Sequence, residues 1–132
     1  MENLNVVFKS LAKLLKDNSN GLELRPTIVG SRAKGGTPGL HLYGRKEVSI
    51  PVRKPKKTYV AGIILQKTFV GFYSMPVYSH PALLSKTKSP LTRKFLKGKS
   101  CFNVSSLDAQ VLEDLGVLLK EGIRAYKKAG WI

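Results

Sequence analysis

From residue 48 to residue 107 the chain carries no aspartate and no glutamate, while the same stretch holds Arg53, Lys54, Lys56, Lys57, Lys67, Lys86, Lys88, Arg93, Lys94, Lys97 and Lys99. Over the whole chain 23 Lys and Arg face 8 Asp and Glu, a net charge of +15. A surface of this kind attracts phosphates, nucleic acid or acidic proteins and disfavours the capture of cations. Hard cations also require converging carboxylates. The only acidic pair of note is Glu113-Asp114, whose side chains diverge when adjacent on a helix and read as solvated helix surface.

Cysteine is nearly absent. Cys101 is the only one, so no disulfide can close within the chain; a lone thiol fits a reducing compartment, and the cytoplasm is the expected location. The two histidines, His41 and His80, have none of the spacings of a zinc site, and no metal or other cofactor is expected. No apolar run approaches the roughly 20 residues a bilayer-spanning helix needs, so no membrane association is expected. The opening MENLNVVFKSLAKLL lacks a basic leader before its apolar residues and reads as an amphipathic helix, not a signal peptide.

What is present suits one globular domain over residues 1–132, since 42% hydrophobic content at this length supplies a core without metal or disulfide support. Leu4, Val7, Phe8, Leu11, Leu14 and Leu15 have helical spacing, and Asp17 to Gly21 stop that helix. Residues 22–29 form an edge strand because Pro26 cannot donate to a ladder on both sides. The loop GSRAKGGTPG at 30–39 has the Gly30 and Gly35 spacing of a P-loop, but Gly36 stands where the lysine belongs, so it reads as a mobile connection between strands.

From Leu40 to Tyr78 the composition is that of strands. LHLY and EVSIPV flank Gly44-Arg45, RKPKK at 53–57 is a basic connection, and TYVAGIILQ pairs with TFVGFYSM as a hairpin. Two short helices follow, one begun by Ser79 or His80 before Pro81, the other by Ser89 before Pro90 and ended by Gly98. A strand at 99–104 precedes a long helix, opened by a capping box at Ser105 to Asp108, striped by Leu107, Val111, Leu115, Leu118, Leu119, Gly122, Ile123 and Tyr126, and closed by Gly130.

The strand segment KGKSCFNV poses the chemical question of this chain, because it sets Cys101 beside Lys97 and Lys99. Alternation places Phe102 and Val104 on the core side and Lys99, Cys101 and Asn103 on the other. A nearby ammonium lowers a thiol pKa and burial raises it by a comparable amount, so the sequence does not rank the two. Neither histidine is tied to Cys101 by spacing, and a Ser100, His80, Asp108 triad lacks a nucleophile-elbow pattern. A structural cysteine is the preferred reading.

The segments TYVAGIIL, TFVGFYSMPVYSHPALL, GKSCFNV and LLKEGIRAYKKAGW resemble the YdhG-like domains of unknown function, over residues 57–132. That resemblance implies an α+β layout like that of frataxin, a sheet with helices against it, and one branch of the family is described as an intracellular iron chaperone. Iron handling of the frataxin type relies on an acidic helical surface, whereas the first helix here carries Lys9, Lys13 and Lys16 against Glu2 and Asp17.

The expected architecture is α+β, an antiparallel sheet of about five strands with N- and C-terminal helices packed on it. The expected site is the basic segment from Lys86 to Lys99. Arg93, Lys94, Lys97 and Lys99 would grip a phosphate or carboxylate, with Tyr73 and Tyr78 as the floor and Cys101 beside them. The expected partner is an anionic small molecule or an acidic protein bound without catalysis. An iron chaperone and a thiol-dependent enzyme using Cys101 are the alternatives. Nucleic acid is a lesser partner within the first class, because the sequence shows no alternation of aromatic and basic residues.

Overall fold

Asn3 starts the first helix, its side chain accepting a hydrogen bond from the Asn5 backbone N–H at 2.9 Å, and α1 runs Leu4–Asp17 with Val7, Leu11 and Leu15 fully buried. The computed structural model describes residues 3–29, 37–50 and 53–132, so most of the glycine-rich loop weighed above, at 30–36, lies outside the described residues. The remaining elements are β1 Glu23–Val29, β2 Thr37–Ile50, β3 Arg53–Leu65, β4 Val70–Ser74, α2 Met75–Ser79, a 3-10 turn Pro81–Lys86, α3 Pro90–Phe95, β5 Leu96–Lys97, β6 Cys101–Val104 and α4 Ala109–Ala129.

The fold is α+β. Its six strands form one antiparallel sheet in the order β1-β2-β3-β4-β6-β5. Register decides which residues share a face. Leu40, Ile63, Phe72, Phe102 and Leu96 are successive cross-strand partners and make one apolar row. The Phe72 and Phe102 rings meet edge to face at 6.2 Å, a favoured aromatic geometry. Against this row pack α1 and the stripe of α4, in which Val111, Leu115, Leu118, Leu119, Ile123 and Tyr126 are buried. The neighbouring row, Arg25, His41, Gly62, Tyr73, Cys101 and Lys97, lies on the opposite face.

Four details differ from the sequence reading. Residues 75–78, read there as strand, belong to the helix α2, with Pro76 in its first turn. Gly98 does not end a helix: α3 stops at Phe95, and the chain turns through Gly98, at φ +70°, between β5 and β6. That two-residue strand, too short to show periodicity, makes the sheet six-stranded rather than five. Gly44-Arg45 does not interrupt β2, which continues through register irregularities between Leu42 and Glu47, so residues 53–57 belong to β3 and are not a connection. Bulges absorb the extra residues while the ladder goes on. Finally, α4 is capped by Asp108, whose side chain accepts from the Val111 N–H at 2.8 Å, and not by a serine.

Candidate anion-binding site

The basic segment is anchored from beneath by a buried acid. Asp114 is 1% exposed and accepts hydrogen bonds from the Lys88 and Ser89 backbone N–H groups, both at 2.9 Å, from the Thr92 hydroxyl at 2.8 Å and from Gln110 at 3.1 Å. Burial opposes its ionisation, but these donors together outweigh burial and hold its carboxyl below the usual carboxylate range. The reading of Glu113-Asp114 as solvated surface is therefore corrected for Asp114, while Glu113 is exposed. A signal was available: Asp114 stands three residues after Val111 and four before Leu118, within the apolar stripe.

Asp114 fixes the start of α3, where Ser89 also accepts from the Leu91 N–H at 3.2 Å and Pro90 takes the first helical position. Arg93 is tied down as well. Its Nε donates to the Thr87 hydroxyl at 3.1 Å and its terminal nitrogen to the Leu84 carbonyl at 2.6 Å, so it staples the 3-10 turn.

Lys94 and Lys97 point to a common place. Both are exposed, and both line one cleft of about 390 Å³ with Asn103, Ser105, Ser106 and Phe69. Because Asp108 caps α4, Ser105 and Ser106 are left to face this cleft instead of the helix end. The ion pairs among the described residues are Lys13 with Asp17, Glu23 with Arg25 and Lys57, and Arg124 with Glu121; none involves a cation between residues 67 and 99.

The other expected site residues do not line this cleft, although Cys101 is the cross-strand partner of Lys97. Lys99 lies over the Tyr78 ring, 5.7 Å from its centroid, and the two line a separate, more apolar groove with Leu84 and Leu96. Tyr73 and Cys101 are cross-strand partners on the outer sheet face. Cys101 Sγ is 3.4 Å from the Asn103 side-chain oxygen, and burial pushes its thiol up, with the Tyr73 hydroxyl pulling the other way. The thiol therefore stays protonated near neutral pH.

Neither histidine serves Cys101. The ring nitrogens of His41 sit 2.8 Å from the Tyr59 hydroxyl and 3.0 Å from that of Thr27, and burial lowers its pKa. His80 contacts the Ser79 hydroxyl at 3.0 Å and the rings of Tyr126 and Trp131. It precedes the 3-10 turn as expected, but its side chain makes no capping bond.

Among the described residues no group of three or more His, Cys, Asp and Glu is placed to hold a metal ion, and no described helix is long and apolar enough to cross a membrane. No protein-family model, curated protein or solved structure matches the chain.

Proposed function

We propose that this chain is a noncatalytic, cytoplasmic binding module on a YdhG-like scaffold, which holds an anionic small molecule or an acidic segment of a partner protein. The observation that carries this reading is the convergence of Lys94 and Lys97 on one cleft whose remaining polar lining includes Asn103, Ser105 and Ser106, with no acid among the lining residues. Two ammonium groups supply charge, and the hydroxyls and amide supply directional hydrogen bonds to oxygen atoms. A phosphate or carboxylate meets both requirements.

Calorimetric titration with pyrophosphate tests it. The affinity should fall as salt rises, because the lysines are solvent-exposed and screened, and the double substitution Lys94→Glu with Lys97→Glu should abolish binding. Binding that survives this double charge reversal would sink the proposal. The thiol-enzyme reading has less support, since Cys101 is protonated and its side-chain contacts are Tyr73 and Asn103. The iron-chaperone reading lacks a carboxylate cluster among the described residues.

A further inference from the structure

At the end of β4 away from the lysine cleft, the last turn of α4 closes on the β2–β3 hairpin. Gly130 adopts a left-handed φ of 81°, which glycine tolerates without a Cβ penalty. Its N–H donates to the Lys127 carbonyl at 3.1 Å, and the Trp131 N–H donates to the Tyr126 carbonyl at 2.9 Å. This pair of bonds is the Schellman termination, which sets the residue after the turn against a side chain of the last helical turn. Here that contact is Trp131 on Tyr126, edge to face with centroids 5.0 Å apart. Ile132 then packs on Gly44, where an added Cβ would lie 2.5 Å from its Cγ2.

These contacts enclose a cleft of about 450 Å³. Tyr43, Tyr59, Tyr126 and Trp131 contribute aromatic lining, and Lys56, Lys57 and Thr58 line it from β3. The Thr58 hydroxyl oxygen is buried and has no hydrogen-bond partner, the one such side-chain atom among the described residues. Leaving a buried hydroxyl unpaired costs on the order of 1–3 kcal/mol, a cost removed when a polar group enters. Three of the other lining hydroxyls are engaged, Ser79 with Tyr126 at 3.2 Å and Tyr59 with His41 at 2.8 Å.

The charge at the rim is specific in amount. Lys57 is bound to Glu23 at 2.8 Å, whereas Lys56 has no ion pair among the described residues. Lys56 and Thr58 are two apart on a strand, so they share a face and lie within reach of one small group. We propose that this cleft binds a flat aromatic carboxylate, its ring against Tyr126 and Trp131, its carboxylate accepting from the Lys56 ammonium and the Thr58 hydroxyl. Neither a ring nor an anion alone satisfies both halves of the lining.

Trp131 is the only tryptophan, so its indole N–H gives one unambiguous signal in a proton–nitrogen correlation spectrum. Titration of the full chain with benzoate and with indole-3-carboxylate should shift that signal and the Thr58 amide saturably. Benzamide, which has the ring without the charge, and acetate, which has the charge without the ring, should each bind at least about tenfold more weakly, the equivalent of one lost interaction of about 1.4 kcal/mol. Thr58→Val preserves shape and Lys56→Gln alters only an exposed rim, so both variants should keep the dispersed spectrum while losing about tenfold in benzoate affinity. Shifts that do not saturate at millimolar ligand, equal affinity for benzamide, or undiminished binding by both variants would each overturn the proposal. The two clefts share no lining residue, so failure here leaves the reading of the lysine cleft untouched.

Discussion

The two ends of β4 carry clefts of similar size and opposite construction. Beyond Val70 the polar lining is lysine, hydroxyl and amide, set beside Phe69, Leu91 and Phe95, and its residues come chiefly from the contiguous stretch 91–106. Beyond Ser74 four of the nine lining residues are aromatic, and the lining comes from β2, β3, α2 and the C-terminal end of α4. The first is a local construction and the second a tertiary one. Interventions that act on a local helix anchor should therefore disturb one cleft, and interventions on helix packing the other.

The largest expected effect is at the anchor of the lysine cleft. Asp114→Asn keeps the shape but turns an acceptor into a donor facing backbone N–H groups, and should cost about 3 kcal/mol of stability by urea unfolding. It should also weaken pyrophosphate binding while leaving benzoate binding in place. The pH dependence has a fixed sign. Because the folded-state pKa of Asp114 is depressed, its contribution is fully present above the unfolded value near 4 and is lost as pH falls through the folded value. The variant should lose that part of the acid sensitivity. Equal stability of the two proteins at neutral pH would show that Asp114 does not anchor α3.

The complementary intervention is Gly122→Ala. An added Cβ would lie 2.6 Å from Pro76 Cβ, and a rigid ring on a packed helix yields only by moving α2 away from α4. The expected loss is about 1–3 kcal/mol, with the Trp131 indole signal displaced and the lysine cleft unchanged. Loss of pyrophosphate binding in this variant would show that the two ends are not independent.

Their difference in construction also explains what the sequence disclosed. The α+β class, the terminal helices and the β3–β4 hairpin follow from periodicity and composition, which are local properties. Lys94 and Lys97 were visible for the same reason, three apart in a short segment with a strong Ser89-Pro90 start. The grouping of Lys99 and Tyr78 with them rested on nearness in sequence, and the hairpin turn at Gly98 carries Lys99 into a separate groove, whereas Tyr73 and Cys101 share the outer sheet face with Lys97 without lining its cleft. The aromatic cleft was not legible at all. Tyr43 and Trp131 lie at distant points of the chain and meet only through bulged register and a helix termination.

The smallest expected effect is in the Lys99 groove, which shares no lining residue with either cleft. Lys99→Gln removes a cation over the Tyr78 ring at an exposed site, a contact worth about 0.5 kcal/mol. Thermal unfolding should change little, and pyrophosphate affinity should drop by no more than the general loss of one screened charge. A collapse of binding in this variant would move the anion site to the Lys99 groove.

The most direct test of the central claim is a crystal structure of the protein grown with pyrophosphate. The account predicts the anion in the cleft beside β6, within hydrogen-bonding distance of the Lys94 and Lys97 ammonium groups and of at least one of Ser105, Ser106 and Asn103. An anion ordered against other cations, with that cleft empty, would contradict it.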